Sequence, residues 1–276
     1  MNLINAVLLG IIQGLTEFIP VSSSGHLVLF QKIFGITEPL ASPVSLLLFD
    51  TMVHTGTLIA VCAVLWKDIW PLLKKLNQPL TLWLIIATVP TVAAALLFKK
   101  PLEKIFETGN FLGFAFLATS ALLITAELIA ARKPSSDSPP KKMNWFDALV
   151  VGLMQAIAVI PGISRSGATI SGALSRMLDR DFAARFSFLL SIPAILGALL
   201  FQLKDLLKGS PVPAESNSIG AAAIIAGTLS AAIVGFLAVK FMLMIIRKRK
   251  LWGFAVYTGL LGILVLIDQF ASHLVF

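Results

Sequence analysis

Between Gln13 and His26 the chain reads QGLTEFIPVSSSGH, which sets an acid, three serines, a glycine and a histidine in a run otherwise apolar enough to enter a membrane. About half a chain later PGISRSGAT, Pro161 to Thr169, brings an arginine, two serines and a threonine into equally apolar surroundings. A carboxylate at membrane depth costs about 2.5–3.5 kcal/mol, so Glu17 calls for a function or a partner. Gln13 lies one turn earlier on the same helical face, and the two are candidate ligands for a divalent cation, Mg²⁺ or Ca²⁺. Mg²⁺ completes its shell with waters and substrate phosphates. Ser22, Ser23 and Ser24, with the flexible Gly25, precede a new helix, whose free N–H groups and positive dipole end favour an anion. One of the serines serves as the helix cap. His26 follows at the helix start, where with Glu17 it supplies proton transfer and activates Ser23 or a water. Direct attack by His26 is the alternative. Arg165 has the planar fork that suits phosphate oxygens, and Ser164, Ser166 and Thr169 offer hydroxyls around the same anion. The plainer reading of Arg165 is a counter-charge for Glu17. Taken together, the two stretches read as halves of one phosphate-handling site, and neither is a nucleotide P-loop, since GxxxxGK[ST] is absent.

The elements that must position these residues are membrane helices. The chain has 276 residues, 57% hydrophobic and 13% charged, with a mean hydropathy of +0.91. Charge-free runs such as Leu76 to Phe98 and Ser216 to Val239 are long enough to cross a bilayer. Six spans are expected, at 47–66, 80–98, 111–131, 186–203, 218–246 and 252–272. The N-terminal run lacks the basic flank of a cleavable signal, so it is expected to be retained. Cys62 is the sole cysteine, which excludes an intramolecular disulfide or a thiolate metal cluster. The net charge of +8 comes from basic residues in short loops, where orientation signals belong, so no nucleic-acid partner is expected.

Residues 3–34 make two apolar pieces around a polar loop, too short to span, and so does 145–178. Each reads as a re-entrant hairpin, whose irregular backbone is tolerated at depth only when buried in protein or facing a wet cavity. The segment 132–142, rich in charge, Pro and Ser, is the hinge between a first repeat, 1–131, and a second, 143–276. At an offset of 142, Ala6, Gly10 and Gln13 recur as Ala148, Gly152 and Gln155, and SSSG at Ser22 lies over SRSG at Ser164. The fold class is therefore all-α integral membrane, with two repeats, each a re-entrant helix hairpin plus three transmembrane helices. Three crossings per copy turn the second copy upside down. Fourteen basic residues then fall on one side and six on the other, which puts both termini and the site on the outward face. Asp50 and His54, at i and i+4, read as a satisfied interfacial pair, with a proton relay as the alternative.

At these residues the chain resembles the BacA/UppP family of undecaprenyl-pyrophosphate phosphatases of bacterial membranes. Gln13 and Glu17 match (E/Q)xxxE, Pro20 to His26 match PVSSSGH, and Pro161 to Thr169 match PGxSRSxxT; the resemblance covers essentially the whole chain. It implies removal of the terminal phosphate of undecaprenyl pyrophosphate, recycling the lipid carrier for peptidoglycan and other envelope glycans, in the inner membrane, with an association with bacitracin resistance. The implied partners are a polyprenyl pyrophosphate and membrane lipids; oligomeric state, a homodimer among the options, is not set by the sequence. A secondary transporter or lipid-carrier flippase is the rival reading, because inverted repeats with broken helices are also the transporter layout. The nucleophile, base and arginine together are more than transport needs.

Overall fold

The computed structural model describes residues 1–36, 43–98, 111–132, 141–208 and 219–275. Among them lie eleven α-helices: α1 Leu3–Phe18, α2 Ser23–Ile33, α3 Pro43–Val64, α4 Trp66–Lys74, α5 Pro79–Leu97, α6 Leu112–Ala130, α7 Trp145–Ile157, α8 Arg165–Ser175, α9 Arg180–Lys208, α10 Ala221–Lys248 and α11 Trp252–Ile267. Six helices, α3, α5, α6, α9, α10 and α11 with its continuation to Ala271, are long and apolar enough to cross a membrane, whereas α1 and α7 are apolar but too short. The outward faces carry large exposed side chains such as Leu82, Val89, Leu229, Leu237 and Leu260, as expected of helices solvated by lipid rather than water. Most of the expected hinge, 133–140, lies outside the described residues.

Element limits depart from expectation where charge was taken as a helix end. The span expected at 47–66 stops at Val64, and Trp66 opens the separate helix α4, with Trp66 and Trp70 stacked at 5.6 Å. Helix α9 starts at Arg180 rather than 186 because its charged first turns are paired. Arg180 makes a two-pronged contact with Glu127 at 2.8 and 2.5 Å, Arg185 reaches Asp68 at 3.0 Å, and Asp181 receives Arg247 at 2.7 Å. The last span is α-helical to Ile267 and continues as a π-helical turn, Asp268–Ser272.

The two broken segments are held by close backbone contact with spanning helices. Helix α1 packs on α10 and α7 on α5, while α11 packs on α6 and α10 on α3. A Cβ at Gly10 would lie 2.2 Å from the carbonyl oxygen of Gly227, and one at Gly152 would lie 2.5 Å from that of Ala87. Only glycine lets these backbones approach so closely. Gly10→Leu is therefore expected to destabilise the protein, at or above the upper end of the roughly 1–3 kcal/mol typical of overpacking. A thermal midpoint in detergent, compared with the exposed control Leu8→Ala, checks this.

Candidate active site

Both loops end in a serine-capped helix. Ser22 caps α2, its Oγ accepting from Gly25 N at 3.2 Å, and Ser164 caps α8 in the same way from Gly167 N at 3.0 Å. The caps place Ser23 and Arg165 at equivalent first positions of their helices, and both converge on Glu17. The Ser23 hydroxyl donates to Glu17 Oε2 at 2.6 Å, and the Arg165 guanidinium donates to Oε1 at 2.5 Å. Gln13 Nε2 donates to Oε2 at 3.0 Å. The tips are stitched together elsewhere as well, by Gly162 N to Ser24 Oγ at 3.2 Å and by Ser166 Oγ to the Ile19 carbonyl at 3.2 Å.

Glu17, Ser23, Ser24, Ser164 and Arg165 face a cavity of about 400 Å³. Its far walls are apolar, formed by Val92 and Ala95 of α5 and by Pro193, Gly197 and Phe201 of α9, among others. Both helices carry an internal proline near the cavity, Pro90 and Pro193. Before those prolines Phe186 and Leu190 lie in the core and Leu80, Trp83 and Leu84 pack against it; from Thr88 and Pro193 onward the two helices line the cavity. One guanidinium nitrogen of Arg165, Nη1, is buried without a protein partner, as is Gln155 Oε1 on the cavity wall. An unpaired buried donor costs about 1–3 kcal/mol, which singles Nη1 out among the donors of the site.

Several expected site residues face other ways. Thr169 Oγ1 bonds to Ser187 Oγ at 2.6 Å and, like Ser22 and Ser166, is buried in the scaffold rather than on the cavity wall. Gly25 lies against Phe116, whose ring would be 2.7 Å from a Cβ there. The His26 ring, placed by the sequence beside Glu17, sits elsewhere. Its Nδ1 is 2.7 Å from the Ser22 carbonyl and its Nε2 is 2.8 Å from the Tyr257 hydroxyl; Tyr257 stacks on the ring at 5.7 Å and Phe116 meets it edge-on at 5.4 Å. Ser22, whose carbonyl meets this ring, stands at φ 75°, a left-handed conformation costly for a serine. The histidine near Glu17 is His54, with Nε2 at 3.9 Å from Oε2. Asp50 and His54 do not pair through their side chains: His54 Nδ1 meets the Asp50 backbone carbonyl at 2.7 Å, and the Asp50 carboxylate accepts from Gln31 at 3.1 Å.

In this arrangement both Glu17 carboxylate oxygens already receive protein donors, one of them cationic; Gln13 gives one of them its Nε2, while its Oε1 is buried without a partner. Among the described residues no three His, Cys, Asp or Glu side chains gather closely enough to hold a metal ion.

A sequence model of the family described as bacitracin resistance protein BacA matches residues 6–264, a range that contains both loops and every residue facing the cavity. The chain belongs to the BacA family. Among its relatives in that family, the undecaprenyl-diphosphatase of Carboxydothermus hydrogenoformans is 45% identical over 272 residues, covering 99% of each chain. Undecaprenyl-diphosphatase 3 of Bacillus cereus is 43% identical over 272 residues, again covering 99% of each. The undecaprenyl-diphosphatase of Methanosphaera stadtmanae is 38% identical, covering 97% of this chain and 98% of its own. Within this BacA chain, Tyr257 and Thr119, whose hydroxyl accepts from Ser164 N at 3.0 Å, support the loops without any sequence signal. They come from distant helices and stand in no polar pattern. Gln155 did carry a signal, as the repeat partner of Gln13, and the structure sets it on the cavity wall, donating to Thr91 at 2.9 Å.

Proposed function

We propose that the chain hydrolyses undecaprenyl pyrophosphate to undecaprenyl phosphate and inorganic phosphate, returning the lipid carrier to envelope synthesis. The observation that carries this reading is the meeting at Glu17 of a hydroxyl from one loop and a guanidinium from the other, in a cavity with an apolar wall. The terminal phosphate lies between the two helix N-termini, with its oxygens on Arg165 Nη1 and on loop amides. Ser23 Oγ attacks the terminal phosphorus as Glu17 takes its proton. The P–O bond to the lipid phosphate breaks, and water then hydrolyses the phosphoserine. Arg165 neutralises the charge that develops on the transferred group.

We infer further that the fold is two oppositely inserted copies. The packing of α1 on α10 and of α7 on α5 exchanges under the 142-residue offset, and Gly10 and Gly152 make matching contacts, which supports that reading. By loop charge the termini and the cavity face outward from the bacterial inner membrane. Release of phosphate from undecaprenyl pyrophosphate by the purified protein in detergent tests the activity; because no gradient exists there, a pure transporter would give none.

The polyprenyl chain then runs along the apolar wall between α5 and α9. A Cβ at Gly197 meets nothing within 4 Å, so the groove is open at that point. Gly197→Trp is expected to lower kcat/KM for undecaprenyl pyrophosphate by about tenfold or more, by closing a hydrophobic subsite. Farnesyl pyrophosphate, which is too short to need the groove, should be hydrolysed as before. Equal loss on both substrates would place the lipid elsewhere.

A further inference from the structure

This inference rests on the phosphatase reading and concerns the protons it must move. Attack by Ser23 leaves its proton on Glu17, and Glu17 must be rid of that proton before it can take one from the water that attacks the phosphoserine. A second base must stand within reach of Glu17, or every turnover waits for a buried acid to lose its proton.

We propose that His54 is that second base. Its Nε2 lies 3.9 Å from Glu17 Oε2, the oxygen that receives the Ser23 hydroxyl. Its Nδ1 is 2.7 Å from the Asp50 carbonyl. A carbonyl only accepts, so Nδ1 carries a hydrogen, and a neutral ring then has its lone pair on Nε2, the nitrogen nearer the carboxylate. The side chain is 26% exposed and faces the cavity, which gives the proton a route to water. A separation of 3.9 Å shortens to a hydrogen bond with a small closure or is bridged by one water, as is usual in sites without substrate. His26 has none of this freedom: both ring nitrogens are engaged.

The charged groups around His54 are Glu17 from α1, Asp50 one turn earlier on α3, and Arg165 from α8 across the cavity. Helix α9 adds the uncharged Gln202, and α10 meets this stretch of α3 with Thr228, Ala231 and Ala232.

In the first half-reaction the Ser23 proton moves to Glu17 Oε2 as the Oγ–P bond forms. The P–O bond to the lipid phosphate breaks, with its electron pair leaving on that oxygen. The proton passes on to His54 Nε2, giving an imidazolium and a restored carboxylate. In the second half-reaction water gives a proton to Glu17 as its oxygen bonds to phosphorus, and the P–Oγ bond breaks with Oγ taking that proton. His54 releases its own proton to water, so one proton leaves per turnover.

The test uses the purified full-length protein, His54→Gln and His54→Ala, with undecaprenyl pyrophosphate in detergent. Both variants are expected to lose about 10²-fold or more in kcat, the scale of a lost general base, with KM within about twofold. The acid-side fall in rate that a neutral imidazole imposes should disappear, and free imidazole should restore the Ala variant about tenfold or more. Wild-type kcat and pH profile in both variants would overturn the assignment. So would a loss that appears in KM and that imidazole does not relieve. If the Ala variant does not fold, the pH profile of the Gln variant decides. A wild-type protein that releases no phosphate strikes the phosphatase reading itself and says nothing against the geometry around His54.

Discussion

Ser23→Ala is expected to lower phosphate release from undecaprenyl pyrophosphate by about 10³-fold or more while leaving KM within about twofold, the pattern of a lost nucleophile rather than a lost contact. The expectation rests on what each hydroxyl in the two loops already does. Ser22 and Ser164 cap their helices, Ser24 accepts from Gly162 N, Ser166 donates to Ile19, and Thr169 is tied to Ser187. Ser23 alone among these donates to a carboxylate, at 2.6 Å, from a position on the cavity wall. Tyr257→Phe, which keeps the ring on His26 and removes one hydrogen bond, should cost less than about tenfold, because the His26 ring keeps its contact with the Ser22 carbonyl. Initial rates from a colorimetric phosphate assay decide the matter. A Ser23→Ala enzyme within about tenfold of wild type would hand the attack to water, and a Tyr257→Phe enzyme as poor as Ser23→Ala would return His26 to the reaction itself.

The convergence of the two loops is legible in the sequence, because the repeat at an offset of 142 and the cost of Glu17 and Arg165 at depth both demand that the tips meet. Under the same offset Ser23 falls on Arg165, while Glu17 and His26 fall on Val159 and Ala168. The site is thus built by letting two equivalent helix starts carry different chemistry around one acid. What sequence could not supply is side-chain direction. Whether a histidine at a helix start turns to an acid nine residues back or to Tyr257, 231 residues on, depends on a helix that periodicity places only in outline. Likewise the i, i+4 spacing of Asp50 and His54 suggested a closed pair, but the ring nitrogen bonds the backbone carbonyl, a competitor that spacing rules do not count.

Arg165→Ala is expected to remove about 10³–10⁵ of the rate, the range for losing an arginine that stabilises a transferring phosphoryl group, and Arg165→Lys should recover only a small part of it. The guanidinium does two things at once: Nη2 holds Glu17 Oε1 at 2.5 Å, and Nη1 is buried with no protein partner. A lysine ammonium keeps the charge but is a single point on a flexible stem, so it cannot span the acid and the phosphate in one plane. Stability separates this from simple misfolding. With Glu17 only 6% exposed, removing Arg165 leaves a buried charge unpaired, at a cost of about 3–5 kcal/mol. Glu17→Gln added to Arg165→Met removes that charge, so the double variant should melt above Arg165→Ala in detergent while remaining just as inactive. Recovery of stability without recovery of rate would show that the pair is kept for chemistry. A double variant that regained phosphate release would mean that the phosphate is gripped and cleaved by other groups.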